Sequence, residues 1–507
     1  MDESRMPVLV GVGQVTERDY DTESSSPLEL MEQAVWRASD DAGIPRASLA
    51  DLDTLAIVKS FREPTRNSAE ALANRIGANH ATQWMMPEGG NGPQYLVNRY
   101  SDAISKGECK FALFAGAEAM ATGRMIHKST GEQPAWDVPA SKDPTYLIAD
   151  EPMSTAHEQE HGIWAATGFY AMSENALRHH YGRSIDEHQK ALGGLFSRFT
   201  EVAAASPHAW YPVQRSAEEI AIPSDSNRFV AWPYTKYMNA MNQINQSAAL
   251  LLTSVENARR MGVSEDRFIY LHGTADTKEV GISERSNYYS STALSVMAEE
   301  VFAGSALGIG DVSHIDFYSC FPVAVEVARD AFGIAEGDPR SLTVTGGLPF
   351  HGGAGNNYVM NSIATMAEKV RADAGSFGLV TANGGYFSKH AAGIYSTRPV
   401  EGNWQRTDPS IYQRRIDEQP KPPFTETPNG DATIETYTVM YGRDSKPVSG
   451  SVIGRLGSYD DPAASRFVAL LPDDKALLES MVAEDMIGTA GRVSRPGELN
   501  LFEPAEI

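Results

Sequence analysis

Cys320 lies in the segment DFYSCFPVA, where an apolar strand-like run passes into a helix-like one. A thiol at a helix N-terminus is stabilised as the thiolate, because the helix dipole and the free N–H groups favour negative charge. This placement predicts a nucleophile or a proton-transfer group at Cys320. The alternative is a small buried apolar residue, which is the commoner role of a single cysteine.

Two histidines lie close to glycines in the same half of the chain. His351 is in the segment TVTGGLPFHGGAG, where the flanking glycines allow a ligand to approach the backbone. His390 follows Asn383 and Gly384 in LVTANGGYFSKHAAG, a segment that is also compatible with a plain β-hairpin. Both histidines are candidate catalytic groups beside Cys320, with Asn383 and Gly384 as candidate ligand-binding residues.

A third segment, MMPEGGNGPQ at residues 85–94, is a glycine-rich turn that opens a helix. Many enzymes place a nucleophile at such a turn, yet this one contains no Cys, Ser or Thr. Its candidate ligand-binding residues are Gly89, Gly90 and Asn91. The polar segment WPYTKYMNAMNQINQ adds Asn242 and Asn245 to the candidate binding residues.

The segment AHEQEHG matches the His-Glu-x-x-His pattern of zinc proteases, in which His157 and His161 lie on one helix face. No obvious third ligand accompanies the pair, so we favour a surface helix with ion pairs and predict no metal site. GVGQVT at residues 11–16 is half of a dinucleotide-binding fingerprint and lacks its third glycine. Neither motif indicates a cofactor.

The elements that would position these residues alternate along the chain. Apolar runs at 6–13, 52–61, 110–120, 267–273 and 314–319 predict strands, and helical spacing at 68–77, 289–303 and 322–333 predicts helices. A further, long helix is predicted over 239–261. Such alternation is typical of α/β proteins, in which helices cover a largely parallel sheet.

Three regions depart from this alternation. Residues 118–235, rich in Met, His, Trp and Pro, indicate an insertion over one end of the sheet. Residues 401–430 carry several prolines among polar residues, which is typical of a linker. Residues 431–507 read as short strands broken by turns and predict a small separate β domain.

Net charge and cysteine content exclude several classes of protein. The 507 residues carry a net charge of −23, so nucleic acid and anionic membranes are poor partners. No segment approaches the roughly 20 apolar residues of a membrane helix, and the N-terminus lacks the features of a signal peptide. Two cysteines cannot form a disulfide framework, so we expect a cytoplasmic protein.

Together, these segments resemble the thiolase superfamily, in particular its sterol-carrier-protein-type and thiolase-like type 1 branches, often labelled acetyl-CoA acetyltransferase. The resemblance covers residues 6–397. YSCF is similar to the His-Asp-Cys-Phe motif, GGLPFHGGAG to the Gly-His-Pro motif, and ANGGYFSKHAAG takes the place of Cys-x-Gly. The resemblance implies an α/β fold of two duplicated βαβαβαββ halves, at 1–117 and 236–400. It also implies a loop domain at 118–235, and the added β domain suggests an OB-like extension.

The resemblance also implies acyl transfer from coenzyme A through a cysteine on the first-half helix. In this sequence Gly89 occupies the nucleophile position, so thiolysis is expected to be weak or absent.

The first hypothesis is an enzyme that acts on a CoA thioester with Cys320 and His351 as the acid/base pair. The alternatives are a non-catalytic CoA or acyl-CoA binding protein and a CoA-thioester retro-aldolase of lipid or sterol metabolism. CoA enters as substrate or ligand, no cofactor is expected, and the chain is expected to be a monomer or a homodimer.

Overall fold

The structure is a computed structural model that describes residues 2–136 and 138–505. Its strands are β1 (Pro7–Thr16), β2 (Thr54–Val58), β3 (Thr82–Met86), β4 (Phe111–Ala119), β5 (Phe229–Ala231), β6 (Tyr234–Thr235), β7 (Asn245–Ser254), β8 (Ile269–Lys278), β9 (Val312–Asp316), β10 (Phe377–Gly384), β11 (Lys389–Ser396), β12 (Gly430–Tyr441), β13 (Pro447–Leu456), β14 (Arg466–Leu470), β15 (Ala490–Ser494) and β16 (Leu501–Pro504). Its helices are α1 (Pro27–Ala42), α2 (Ser68–Ile76), α3 (Gly92–Lys106), α4 (Met120–Thr130), α5 (Ala156–Glu160), α6 (Ala166–His180), α7 (Ile185–Ala205), α8 (Ala217–Ala221), α9 (Val255–Arg260), α10 (Thr292–Ala303), α11 (Pro322–Ala331), α12 (Tyr358–Ala372), α13 (Pro409–Asp417) and α14 (Lys475–Ser480).

A nine-stranded sheet forms the centre of the molecule, in the order β3-β2-β4-β7-β1-β8-β11-β10-β9. Read outward from the β1–β8 junction, both sides follow one plan. An antiparallel partner comes first (β7 or β11), then β4 or β10, and then the outer parallel strand β2 or β9. The repeated order is the internal duplication expected from the sequence.

Residues 245–254 correct one sequence expectation. The segment NQSAALLLTS was predicted to lie in a helix over 239–261, but it forms the central strand β7, followed by the short helix α9. Both faces of β7 are buried, so its residues lack the alternation that identifies a half-exposed strand. Because β7 pairs with β4 and β1, a domain limit at residue 236 separates it from the strands beside it.

Helices cover both faces of this sheet. On one face, Gly11 and Gly13 of β1 allow the backbone of α1 to approach closely, and the Thr277 hydroxyl donates to α10. On the other face, Gln14 donates to Thr365 of α12, and α3 packs against both α12 and the strands. Both helices are therefore held against the sheet.

The C-terminal β domain is a closed barrel. Strands β12, β13, β14, β16 and β15 pair in a ring, and β5 and β6 extend it from β12. A five-stranded closed barrel is the arrangement of an OB fold. In the preceding segment, α13 packs on α10 through the buried side chains of Tyr412 and Ile416. The stretch predicted as a linker thus contains an ordered helix, whose two apolar contact residues gave only a weak sequence signal.

Within the described parts of the chain, every helix is too short or too polar to cross a bilayer.

Candidate functional site

A cavity of about 330 Å³ lies where the turn before α3 meets the start of α11 and the β10–β11 hairpin. Six of the residues that line it matter to its chemistry: Gly89, Gly90, Tyr318, Cys320, Asn383 and Gly384. We refer to this space as the catalytic cavity. Leu348, Gly355 and Asn242 line it as well, so the fold brings together five of the segments that the sequence singled out.

Gly89 is held in a conformation that suits only glycine. Its φ is +151°, and an ideal β-carbon there would lie 2.5 Å from Asn91 Oδ1. The Gly89 N–H donates to Asn356 Oδ1 at 2.9 Å. Any side chain at Gly89 would therefore be strained by the backbone, and the N–H of this residue is already used within the protein.

Tyr318 contributes a phenol that the sequence analysis did not rank as a site residue. Its hydroxyl contacts the turn at Gly90, where the missing β-carbon leaves space for it. Burial raises the pKa of Tyr318 well above its usual value, so the hydroxyl stays protonated at neutral pH. Tyr318 thus offers a hydrogen-bond donor inside the catalytic cavity.

Cys320 is a free, buried thiol at the start of α11. Burial raises its pKa to about 12, although hydrogen bonding to Tyr170 and Asn383 opposes the shift. This reverses the expectation that the helix N-terminus would yield a thiolate, because desolvation outweighs the helix dipole. At neutral pH Cys320 is a protonated group that can donate to a ligand.

Tyr170 of α6 joins the loop domain to the β10–β11 hairpin. Asn383 Nδ2 donates to the Tyr170 hydroxyl at 2.6 Å, and the N–H of Phe387 donates to it at 3.1 Å. The same hydroxyl donates to the Gly385 carbonyl at 3.1 Å, and the ring stacks on Phe321 at 4.7 Å. Asn383 is therefore oriented by a residue some 200 positions earlier, a relationship that no local motif could reveal.

The two candidate histidines are not among the residues that line the catalytic cavity in the described chain. His351 is fully buried, and burial lowers its pKa to about 3. His390 is also buried, its Nε2 lies 3.1 Å from the Phe387 carbonyl, and burial lowers its pKa to about 4. Both imidazoles are therefore neutral at pH 7.

The candidate asparagines are spread over three locations. Asn242 is exposed and lines the catalytic cavity. Asn91 lies at the start of α3 and lines a different cavity, described below. Asn245 begins β7 and exchanges hydrogen bonds with Thr122, at 2.8 and 3.1 Å, which is a structural contact.

Glu118 is a buried carboxyl near the cavity that the sequence analysis did not rank. It accepts a hydrogen bond from the N–H of Phe61 at 2.7 Å and packs against Gly355, and both of these residues line the cavity. Burial, with a smaller contribution from Glu63, raises its pKa to about 8. Glu118 is thus mostly protonated at neutral pH and supports one wall of the cavity.

The His-Glu-x-x-His segment forms the short helix α5 and the residue after it. His161 Nδ1 lies 2.7 Å from the His157 carbonyl, and its Nε2 accepts from the N–H of Asn500 at 2.9 Å. Glu158 closes a capping box with Thr155 at the helix start. Both ring nitrogens of His161 are engaged inside the protein, so the pair is not arranged for zinc.

Among the described residues, one other group has metal-ligand chemistry: Glu174, His188 and Glu326. Arg183 Nη1 lies 3.4 Å from His188 Nδ1, which makes Nδ1 the acceptor. His188 Nε2 therefore carries the proton and donates to Glu174 Oε1 at 2.7 Å. Because that nitrogen has no free lone pair, the group fits an internal hydrogen-bond network better than a metal site.

The duplicated sheet, the inserted helices and the cavity at the start of α3 define a thiolase fold. Residues 412–498 match the family described as "Thiolase-like protein type 1 additional C-terminal domain". Over the full length of both chains, the protein is 36% identical to a monomeric SCP2-thiolase-like protein type 1 from Mycobacterium smegmatis, with a TM-score of 0.86. The chain belongs to this thiolase-like protein type 1 family.

More distant structures share the fold alone. An Ltp2–ChsH2(DUF35) aldolase is 18% identical over 77% of this chain and 98% of its own, with a TM-score of 0.59. An acetyl-CoA acetyltransferase from Syntrophomonas wolfei is 12% identical over 78% of this chain and 99% of its own, with a TM-score of 0.56. The chain has no match among the curated proteins.

Proposed function

We propose that this protein binds a coenzyme A thioester in the catalytic cavity and acts on its carbonyl group without forming an acyl-cysteine. The observation that carries the proposal is Gly89 itself, which has no side chain and whose φ of +151° would strain a nucleophilic residue placed there. Membership of the thiolase-like family supports a thioester as the ligand. Thiolysis by a covalent intermediate at Gly89 is therefore expected to be absent.

The groups that remain in the cavity are hydrogen-bond donors. The Tyr318 hydroxyl and the Cys320 thiol are both protonated at neutral pH. Donors of this kind polarise a thioester carbonyl and stabilise an enolate oxygen, and one well-placed donor contributes on the order of 3 kcal/mol to a transition state. We expect Tyr318 to be the stronger contributor, since an O–H group is a better donor than an S–H group.

A second candidate function is binding without catalysis. It is favoured because the two histidines are neutral and lie outside the lining of the catalytic cavity among the described residues. Without a base in the cavity, deprotonation of a substrate has no evident acceptor there. Turnover separates the two candidates.

The experiment combines binding, mass and turnover measurements on the full chain. Calorimetry with CoA and acetyl-CoA is expected to show binding, and intact mass after incubation with acetyl-CoA is expected to show no acyl adduct. Turnover is then measured with acyl-CoAs and with 3-hydroxyacyl-CoAs, for which release of an aldehyde or ketone reports retro-aldol cleavage.

Variants assign the roles. We expect Tyr318→Phe to lower any turnover by about 10²-fold, in line with the loss of one donor. A Cys320→Ala variant as fast as wild type would remove Cys320 from the mechanism. A stable acyl adduct on the wild-type chain, or no binding of either ligand at millimolar concentration, would overturn the proposal.

We also propose that the chain is a monomer. The outer strand β3 is covered by residues 145–147: the N–H of Met85 donates to the Thr145 carbonyl at 2.8 Å, and Leu147 donates back at 3.0 Å. An occupied strand edge is closed to pairing with a second copy. The similar Mycobacterium smegmatis protein is described as monomeric, which supports this.

A further inference from the structure

A second cavity, of about 410 Å³, lies on the other side of the turn before α3 and shares none of its lining residues with the catalytic cavity. Its walls come from α3, the segment around 148–151, the facing ends of β8 and β11, and the segment 406–413. We refer to it as the α3 cavity. Its volume is within the range of pockets that hold small organic ligands.

Every acidic side chain in the described lining of the α3 cavity is held in an ion pair. Lys278 Nζ pairs with Glu151 at 2.6 Å, and Arg406 Nη2 pairs with the buried Asp276 at 2.7 Å. The third acid, Asp102, pairs at 2.6 Å with Lys106, which lies outside the lining, so no lining carboxylate is left without a cation.

Two cations in the described lining of the same cavity lack a direct ion pair. Lys389 is only 6% exposed, and its Nζ donates to the backbone carbonyl of Glu88 at 2.9 Å. The Glu88 carboxylate itself is 3.0 Å from Lys59. Within residues 2–136 and 138–505, the carboxylates of Asp150, Glu151 and Glu88 act on Lys389 from beyond ion-pair distance, and Arg99 forms no ion pair.

A buried ammonium without a direct ion pair is costly, because the more distant carboxylates of Asp150, Glu151 and Glu88 only partly offset its desolvation. Burial also lowers the pKa of Lys389, because a desolvated ammonium loses its proton more readily. An anion bound in the α3 cavity would supply the missing counter-charge to Lys389 and to Arg99. The remaining walls include the apolar groups of Tyr95, Ile148 and Pro409, which suit a hydrocarbon body rather than a small inorganic ion.

We propose that the α3 cavity binds a carboxylate that carries an apolar body, such as a medium-chain fatty acid. Its carboxylate lies between Lys389 and Arg99, and its hydrocarbon part contacts Tyr95 and Ile148. Lys389 also donates to the carbonyl of Glu88, the residue before Gly89. A ligand bound to Lys389 therefore contacts a side chain that holds the turn before α3. This site is independent of CoA binding in the catalytic cavity.

Calorimetry with octanoate, butyrate and inorganic phosphate tests this on the full chain, in the absence of CoA. We expect octanoate to bind more tightly than butyrate or phosphate. Arg99→Gln and Lys389→Met should each raise the octanoate Kd roughly tenfold, the loss of one charge-assisted hydrogen bond. Lys190→Gln is the control, since Lys190 lies on α7, is exposed and is not among the residues lining the cavity in the described chain.

Three results would overturn the proposal: no octanoate binding at millimolar concentration, equal affinity for phosphate, or binding that neither variant weakens. Arg99 is exposed, so Arg99→Gln decides the matter if Lys389→Met fails to fold. Failure of CoA binding in the catalytic cavity would leave these outcomes unchanged.

Discussion

The hydroxyl of Tyr318 occupies space that a β-carbon on Gly90 would need. The carbonyl oxygen of Asn383 approaches the same position to 2.6 Å. Gly90 is thus the point where the turn before α3, the start of α11 and the β10–β11 hairpin meet. All three segments line the catalytic cavity, so their mutual contact helps to hold its shape.

Gly90→Ala should therefore destabilise the protein and distort the cavity. The added methyl group must displace Tyr318 or the backbone at Asn383, and overpacking of this kind costs about 1–3 kcal/mol. Urea denaturation followed by circular dichroism measures the change. Gly194→Ala in α7 is the control, because its β-carbon meets nothing within 4 Å and the alanine is expected to stabilise the helix by up to about 1 kcal/mol. Equal effects of the two substitutions would contradict the packing argument.

Gly89→Cys should not restore thiolase chemistry. A cysteine at this position would be strained by the φ of +151° and would meet Asn91, at a cost of about 1–3 kcal/mol in stability. We expect no acyl adduct on the introduced thiol after incubation with acetyl-CoA, measured by peptide mass spectrometry. Wild type treated in the same way reports any background on Cys109 and Cys320. An adduct formed at position 89 in nearly every molecule would show that the turn adapts.

Part of this architecture could be predicted from the sequence, because some strands and helices are marked by residues within the element itself. Apolar runs such as 110–120 and 314–319 and capped helices such as α1, with Ser26 and Pro27 at its start, carry their own signals. The alternation of these elements was sufficient to predict an α/β fold. β7 was missed because a strand buried on both faces has the same apolar content as a buried helix.

The site was predicted less completely, because its chemistry depends on distant partners. Cys320 was identified from its position before α11, but its protonated state follows from burial that no motif encodes. Tyr170 accepts a hydrogen bond from the lining residue Asn383, and Glu118 accepts one from the lining residue Phe61. In both cases the two partners are far apart in the chain. His351 was proposed from its glycine-rich surroundings, yet the structure buries its side chain away from the lining of the catalytic cavity in the described chain.

Leu147→Pro should uncover the edge of β3. Proline removes the N–H that donates to the Met85 carbonyl, and the freed strand edge can then pair with a second copy. We expect a concentration-dependent rise in mass by size-exclusion chromatography with light scattering. Tyr146→Ala, which keeps these two backbone bonds, should behave as wild type. If Leu147→Pro stays at the wild-type mass at every concentration, the covered edge does not control association.

Glu118→Gln should change how stability depends on pH. The folded pKa of Glu118 is about 8, against an ordinary value of 4.5, so between these limits the folded state holds a proton that the unfolded state has released. The contribution of Glu118 to the free energy of unfolding therefore falls as pH rises from 5 to 8, by about 3 kcal/mol. Glutamine does not titrate and still has a carbonyl oxygen to accept the Phe61 N–H.

The variant should be close to wild type in stability at pH 5 and more stable at pH 8, by urea denaturation at each pH. Glu132→Gln, at an exposed position, should show no such difference. A constant offset between Glu118→Gln and wild type across this range would mean that Glu118 is ionised in the folded protein, and that the cavity wall at Phe61 is supported by a charged carboxylate.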